Sequence, residues 1–315
     1  MARLEVNVGG VVMKNPVATA SGTCGYGEAY ADAYPPARLG AIVTKGISLE
    51  PRLGNPSPRM AETPCGMLNA IGLENVGLAA FLAEKLPWLR EAGATVVVNV
   101  FGETVDEYCR VAEALSAAPG VAGLELNISC PNVKAGGILF GSRPGPAAEL
   151  TAAVRRVTRL PLWVKLSPNV GDIGEMARAV EGAGADAVSL VNTFRAMAID
   201  VEGLRPRLAT GIGGLSGPAI RPIAVRMVYE AARAVKIPVV GMGGIASVED
   251  ALEFLLAGAR AVQVGTGNFI DPLLPMRIID GLPGYLDRHG FEAVTELAGA
   301  LGNSGQSPIY SLRDK

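Results

Sequence analysis

Histidine is almost missing. The 315 residues hold one, His289, remote from every motif described below. Most Ser-His-Asp, Cys-His and His-rich zinc chemistry is removed at once. Cysteine is scarce as well: Cys24, Cys65, Cys109 and Cys130 stand far apart in a long chain. That spacing suits a reducing cytosol and offers no ligand cluster to a metal or an iron–sulfur centre. Charge of either sign is modest, with 28 Lys plus Arg against 30 Asp plus Glu, and no Lys/Arg-rich run occurs. Nucleic acid and anionic membranes are therefore excluded as expected partners. Long apolar runs are also lacking. The longest uncharged stretch, Leu297 to Leu312, is full of Gly, Asn, Ser, Gln and Pro and cannot form a membrane span. The opening MARLEVNVGG has no apolar signal core, so a cytoplasmic location is expected.

What is present is a repeat of short β-branched segments. They are Pro16–Ala20, Ala41–Thr44, Thr95–Val100, Gly123–Leu126, Leu162–Leu166, Ala187–Val191, Pro238–Gly241 and Ala261–Val264. Runs such as TVVVNV and IPVVGM suit parallel strands buried on both faces. Amphipathic stretches lie between them at Glu103–Ser116, Ala147–Arg159, Gly174–Gly184, Ala219–Val235 and Val248–Ala257. This alternation predicts an α/β fold, a (β/α)8 TIM barrel. LEVNVGGVVMK, alternating about Gly9-Gly10, predicts an N-terminal β-hairpin within residues 1–14 that plugs the barrel floor. No linker divides the chain, so residues 1–315 read as a single domain with 301–315 as a surface tail. Extra length falls in Gly46–Val76, Asn127–Pro146 and Asn192–Gly217, each after a strand's C-terminal end, where a barrel builds its active face.

Polar or glycine residues mark every strand end: Ser21, Lys45-Gly46, Asn99, Asn127, Lys165, Val191-Asn192-Thr193, Gly243-Gly244 and Gly265-Thr266. Any one of them is an ordinary turn residue, but their recurrence at all the ends calls for a common cause. GMGGI and VGTGN follow the last two strands, where barrels hold phosphate on backbone N–H groups. A Rossmann site would place its glycines after an early strand. Lys45 and Lys165, facing one mouth, would each need an anion, since an unpaired buried ammonium is costly. A phosphate, a carboxylate, the anionic edge of a reduced flavin, or a barrel carboxylate would serve. A Schiff-base lysine, as in barrel aldolases, is a further option. Cys130 lies in NISCPN on the loop after the fourth strand. With histidine missing, its thiol, of reference pKa ~8.5, is the available proton acceptor. Cys24, Cys65 and Cys109 read as buried small hydrophobes.

These motifs carry a family resemblance from about Leu4 to Leu282. TASGTCGYGE, TKGISLEPRLGNPSPRMAETPCGMLNAIGLEN, ELNISCPNVKAGG, VKLSPNV, GGLSGPAIRPIAVRMV and MGGI…AGARAVQVGT resemble the catalytic subunits of class 1B dihydroorotate dehydrogenases, the NAD-linked type. NISCPN distinguishes class 1, with a cysteine base, from class 2, with serine. GMLNAIGLEN, LSPNV and GGLSGPAI look like 1B rather than the fumarate-using 1A type. One departure is Ala196, standing where the family usually has glycine before Met-Ala-Ile-Asp.

The resemblance implies FMN at the barrel mouth, one per chain. Ser21, Lys45, Gly46, Asn99, Asn127, Lys165 and Val191 would line it. Gly217, Gly243, Gly244, Gly265 and Thr266 would complete the cradle, the last four around the phosphate. Dihydroorotate would meet Lys45, Asn69, Ala70, Ile71, Gly72, Leu73, Asn127, Asn192 and Thr193. Cys130 would take a proton from carbon 5, while hydride leaves carbon 6 for the flavin. Amides of Asn69, Asn127, Asn132 and Asn192 suit the ring edges of orotate, each offering a donor and an acceptor. The resemblance also implies a homodimer of catalytic subunits within a heterotetramer, whose partner subunits carry FAD and a [2Fe-2S] cluster and pass electrons to NAD+. Three other readings are a 1A enzyme working alone, the pyrimidine-reducing domain of dihydropyrimidine dehydrogenase, and a flavin-free barrel lyase or aldolase.

Overall fold

A computed structural model of the chain describes residues 2–129 and 140–301. Its centre is a closed barrel of eight parallel strands: β1 (Val17–Thr19), β2 (Ala41–Val43), β3 (Val96–Val100), β4 (Val121–Asn127), β5 (Leu162–Lys165), β6 (Ala187–Leu190), β7 (Val239–Met242) and β8 (Ala261–Val264). Each strand neighbours the next in sequence, and β8 pairs with β1 to close the ring. The structure bears out the predicted barrel, with every strand inside or within two residues of its expected segment.

The helices around the barrel bury one stripe each. In α1 (Val105–Ala117), Tyr108, Val111, Ala112 and Leu115 face inward at helical spacing. The helices α2 (Pro144–Val157), α3 (Ile173–Gly182), α4 (Arg221–Ala234) and α5 (Val248–Leu256) follow the same logic. Side-chain N-caps start three of them: Thr104 accepts from the Glu107 amide, Asp172 from that of Glu175, and Ser247 from that of Asp250. Two helical stretches escaped the sequence reading. Residues 77–91 contain a π turn, Phe81–Lys85, that breaks the 3.6-residue period, and α6 (Leu274–His289) carries Pro275 and an internal Pro283.

On the floor, Val6–Val8 pairs with Val11–Met13 through the Gly9-Gly10 turn, both glycines at positive φ. Val8, Val11 and Met13 are buried, and the Trp163 indole donates to the Val8 carbonyl at 3.0 Å, sealing that end. At the opposite end the insertions after β2 and β6 meet. They build a four-stranded antiparallel sheet, ordered Phe194–Ala196, Gly213–Ser216, Gly66–Asn69, Met60–Thr63. This roof is the main element the sequence did not announce.

Candidate active site

Because all eight barrel strands run parallel, their C-terminal ends open on one face. Between that face and the roof lies a cavity with about 1180 Å³ of empty space, part of it open to solvent. Ser21, Lys45, Asn127, Lys165, Val191, Asn192 and Thr193 line it from the early and middle strands. Gly217, Gly243, Gly244, Gly265 and Thr266 line it from the later turns, and Asn69, Ile71, Gly72 and Leu73 from the insertion after β2. Three residues of the expected set stand back from the cavity. Ala70 turns its methyl into a small apolar cluster with Leu68 and Leu208. Asn99 is wholly buried in the barrel and donates to Glu125 at 2.7 Å. Gly46 packs on Asn99, whose Oδ1 would lie 2.9 Å from a Cβ at that position. Cys130 and Asn132 lie outside the described residues.

Two features of the cavity ask for an anion. Lys165 is 5% exposed, and among the described residues no hydrogen bond or ion pair engages its ammonium. Lys45 is half-buried, and desolvation holds its ammonium below the usual lysine range, partly offset by the carboxylate of Glu74. At the other end, among the described residues, no backbone hydrogen bond engages the N–H groups of Gly243, Gly244, Gly265 and Thr266. Unpaired amides at consecutive strand ends are the donors that a phosphate needs. The glycines are required by the turns themselves. Gly243 and Gly244 have φ of 130° and 80°, and a Cβ on Gly244 would come 2.7 Å from the Gly217 carbonyl oxygen. Gly217 adopts φ 96°, ψ −172°, a region essentially limited to glycine.

The central part of the cavity is amide-rich. The Asn127 Nδ2 donates to Asn99 Oδ1 at 3.4 Å, while its Oδ1 accepts from Ser129 Oγ at 3.4 Å and from Asn192 Nδ2 at 3.5 Å. Asn192 also donates to Ser129 Oγ at 2.9 Å. The Asn127 carbonyl accepts from the buried Tyr108 hydroxyl at 2.7 Å, which pins the end of β4. Thr193 Oγ1 is buried without a hydrogen-bond partner among the described residues, and a Cβ on Gly214 would overlap it at 2.0 Å, so Gly214 makes room for it. Gly72 and Leu73 both have positive φ, held by Asn55, which donates to the carbonyls of Ile71 and Ala70. Ala196 pairs with Gly213, and its methyl joins the Leu68 cluster on the roof.

Sequence reasoning missed Glu125 and Ser216. Glu125 is a fully buried carboxylate inside the barrel, and the signal available was a charge in the middle of the strand GLELN. Ser216 lines the cavity from the roof, where its hydroxyl bonds that of Thr266.

Comparison with known proteins agrees with this geometry. The family model for dihydroorotate dehydrogenase matches residues 3–286. A dihydroorotate dehydrogenase B (NAD(+)) catalytic subunit from Geotalea uraniireducens is 57% identical over 298 residues, covering 95% of this chain and 98% of that one. A protein of the same name from Anoxybacillus flavithermus is 54% identical over 307 residues, covering 98% of each. The crystal structure of DHODH in complex with ferulenol from Eimeria tenella shares the fold, with TM-score 0.79 at 22% identity over 94% of this chain and 88% of that one. A match across nearly the whole barrel, at this identity, leaves one assignment: the chain belongs to the dihydroorotate dehydrogenase family.

Proposed function

We propose that this chain is the catalytic subunit of an NAD-linked dihydroorotate dehydrogenase, oxidising (S)-dihydroorotate to orotate in pyrimidine synthesis. The relatives' shared name, across nearly full-length matches, supports the reaction. The observation that carries the cofactor assignment is one cavity holding the buried Lys165 ammonium and, separately, the backbone amides of Gly243, Gly244, Gly265 and Thr266, all without a partner among the described residues. An elongated anion with a phosphate tail satisfies both, and FMN is such a molecule.

Bound FMN supplies the acceptor for the hydride that leaves carbon 6 of the substrate. The chain's own residues do the rest. The amides of the two late turns hold the phosphate, and Ser21, Asn127 and Val191 line the body of the site. Lys165 supplies fixed positive charge where negative charge accumulates during oxidation, which preorganised groups do at little reorganisation cost. Lys45 binds the substrate carboxylate and keeps substrate and cofactor in register. Asn69, Asn127, Asn192 and Thr193 read the ring edges, with Ile71, Gly72 and Leu73 closing over them. Cys130 removes the proton from carbon 5, so turnover rises with pH until its thiol is ionised.

A partner subunit carrying FAD and a [2Fe-2S] cluster would pass the electrons on to NAD+, and two catalytic subunits would pair within a heterotetramer. The location is cytoplasmic; no helix among the described residues is long and apolar enough to cross a membrane. One preparation tests the whole reading. The purified chain should be yellow and should bleach anaerobically with dihydroorotate. Cys130→Ala should stay yellow and lose bleaching; normal bleaching in that variant removes Cys130 as the base. Reduction of NAD+ should require the partner subunit, and fumarate should not replace it.

A further inference from the structure

Beneath the cavity lies a buried polar layer that the proposed chemistry does not use. Glu125, on β4, is fully buried, as are Asn99 on β3, Ser189 on β6 and Gln263 on β8. Glu125 Oε1 accepts from Asn99 Nδ2 at 2.7 Å. Its Oε2 accepts from Ser189 Oγ and from Gln263 Nε2, each at 2.8 Å. No salt bridge among the described residues involves it, so the carboxylate serves as an acceptor for neutral donors from three other strands.

Both carboxylate oxygens of Glu125 accept, whereas an amide has one accepting and one donating end. Glu125 therefore dictates which way Asn99 faces: Nδ2 toward the carboxylate and Oδ1 away from it. Asn99 Oδ1 in turn accepts from Asn127 Nδ2 at 3.4 Å. That leaves Asn127 Oδ1 turned toward Ser129 and Asn192 at the cavity wall. Reversing Asn99 or Asn127 would set acceptor against acceptor at one end and donor against donor at the other, in a buried site where an unmade hydrogen bond is expensive. Gly46 completes the arrangement, because a Cβ there would press on Asn99 Oδ1 at 2.9 Å.

We infer that Glu125 is a positioning residue: through Asn99 it fixes the donor and acceptor polarity of Asn127, and so the hydrogen-bond pattern shown to the pyrimidine ring. It touches neither substrate nor cofactor. This role rests on the proposed function, since it presupposes a pyrimidine in the cavity.

Gln263 supplies the discriminating variant. Its Oε1 is buried without a partner among the described residues. In Glu125→Gln the new side chain can keep its oxygen on Asn99, while Gln263 turns that free oxygen to accept from the new amide. The relay survives without the charge. Glu125→Met keeps the volume and removes the acceptor. The measurement is orotate affinity, read from the flavin absorbance of the intact flavoprotein, alongside flavin content. With flavin retained, Glu125→Met should weaken orotate binding by roughly tenfold or more, as expected for a misdirected buried amide. Glu125→Gln should stay within about threefold of the parent, below the cost of a lost buried bond. Gln263→Met, which spares the bond to Asn99, should do the same. Normal affinity in the Glu125→Met protein overturns the inference, and so does equal damage from Glu125→Gln or Gln263→Met. If Glu125→Met yields no folded flavoprotein, Asn99→Leu takes its place, and unchanged orotate affinity there is equally fatal. A parent protein whose flavin does not respond to orotate refutes the proposed function instead.

Discussion

Thr266 and Ser216 share a hydroxyl–hydroxyl hydrogen bond of 2.8 Å. It joins the turn after the last barrel strand to the roof sheet, so the proposed phosphate cradle and the cover of the cavity are one mechanical unit. Thr266 and Ser216 both line the cavity. Ser216→Ala removes the group that orients the Thr266 hydroxyl. Reconstitution of the apoprotein should show FMN affinity reduced about fivefold, or about 1 kcal/mol, the usual worth of one such bond. Unaltered affinity would mean that the cradle is set by its backbone alone.

Lys165 should show opposite effects on stability and on activity. Its ammonium is nearly buried, with no partner among the described residues, so it costs stability while no anion is bound. Lys165→Met should therefore raise the thermal midpoint of the apoprotein. The same change should slow flavin reduction by dihydroorotate by about a hundredfold, the scale of losing one preorganised charge-stabilising group. A lower apoprotein midpoint would point to a structural role for the lysine.

Lys45 should set the alkaline limb of ligand binding. Burial lowers its pKa, and Glu74 restores only part of the shift. The ammonium is the form that binds an anion, and it loses its proton at lower pH than a free lysine does. Orotate affinity should fall as pH rises, beginning below the ordinary lysine value of about 10.4. Lys45→Arg, which stays charged throughout, should flatten that decline even if its overall affinity is weaker. An equally steep decline in the arginine protein would place the titration elsewhere.

Cys24 and Cys65 should differ in reactivity. Burial pushes the Cys24 thiol up to about 11, with Tyr34 and Thr19 opposing weakly, whereas Cys65 is exposed on the roof hairpin. The thiolate is the reacting form, so iodoacetamide at neutral pH should label Cys65 in the native protein and spare Cys24 until denaturation. Mass mapping of the peptides checks this, and early labelling of Cys24 would show that the end of β1 opens readily.

The barrel was legible because each part of its signal is local. Val96–Val100 and Ala261–Val264 are β-branched-rich and buried along their whole length, and Thr104, Asp172 and Ser247 cap the helices that follow the strands. The roof was not legible. Its strands are short, include Gly213-Gly214, and pair residues as distant as Leu68 and Leu215. Neither alternation nor propensity marks such segments, since the central pairing joins Gly66–Asn69 of one insertion to Gly213–Ser216 of another. The stretch 77–91 was hidden for a different reason, its π turn, which shifts the apolar stripe out of register.

The sequence by itself determined the α/β barrel, the family, and which strand ends bear polar groups, because parallel strands in a closed ring must put all those ends on one face. Only the tertiary structure decided which of them reach the cavity. Asn99 and Asn127 look alike in the chain, yet one is buried against Glu125 and the other lines the cavity. That difference is set by height within the barrel and by contacts from β4, β6 and β8, which no local pattern encodes.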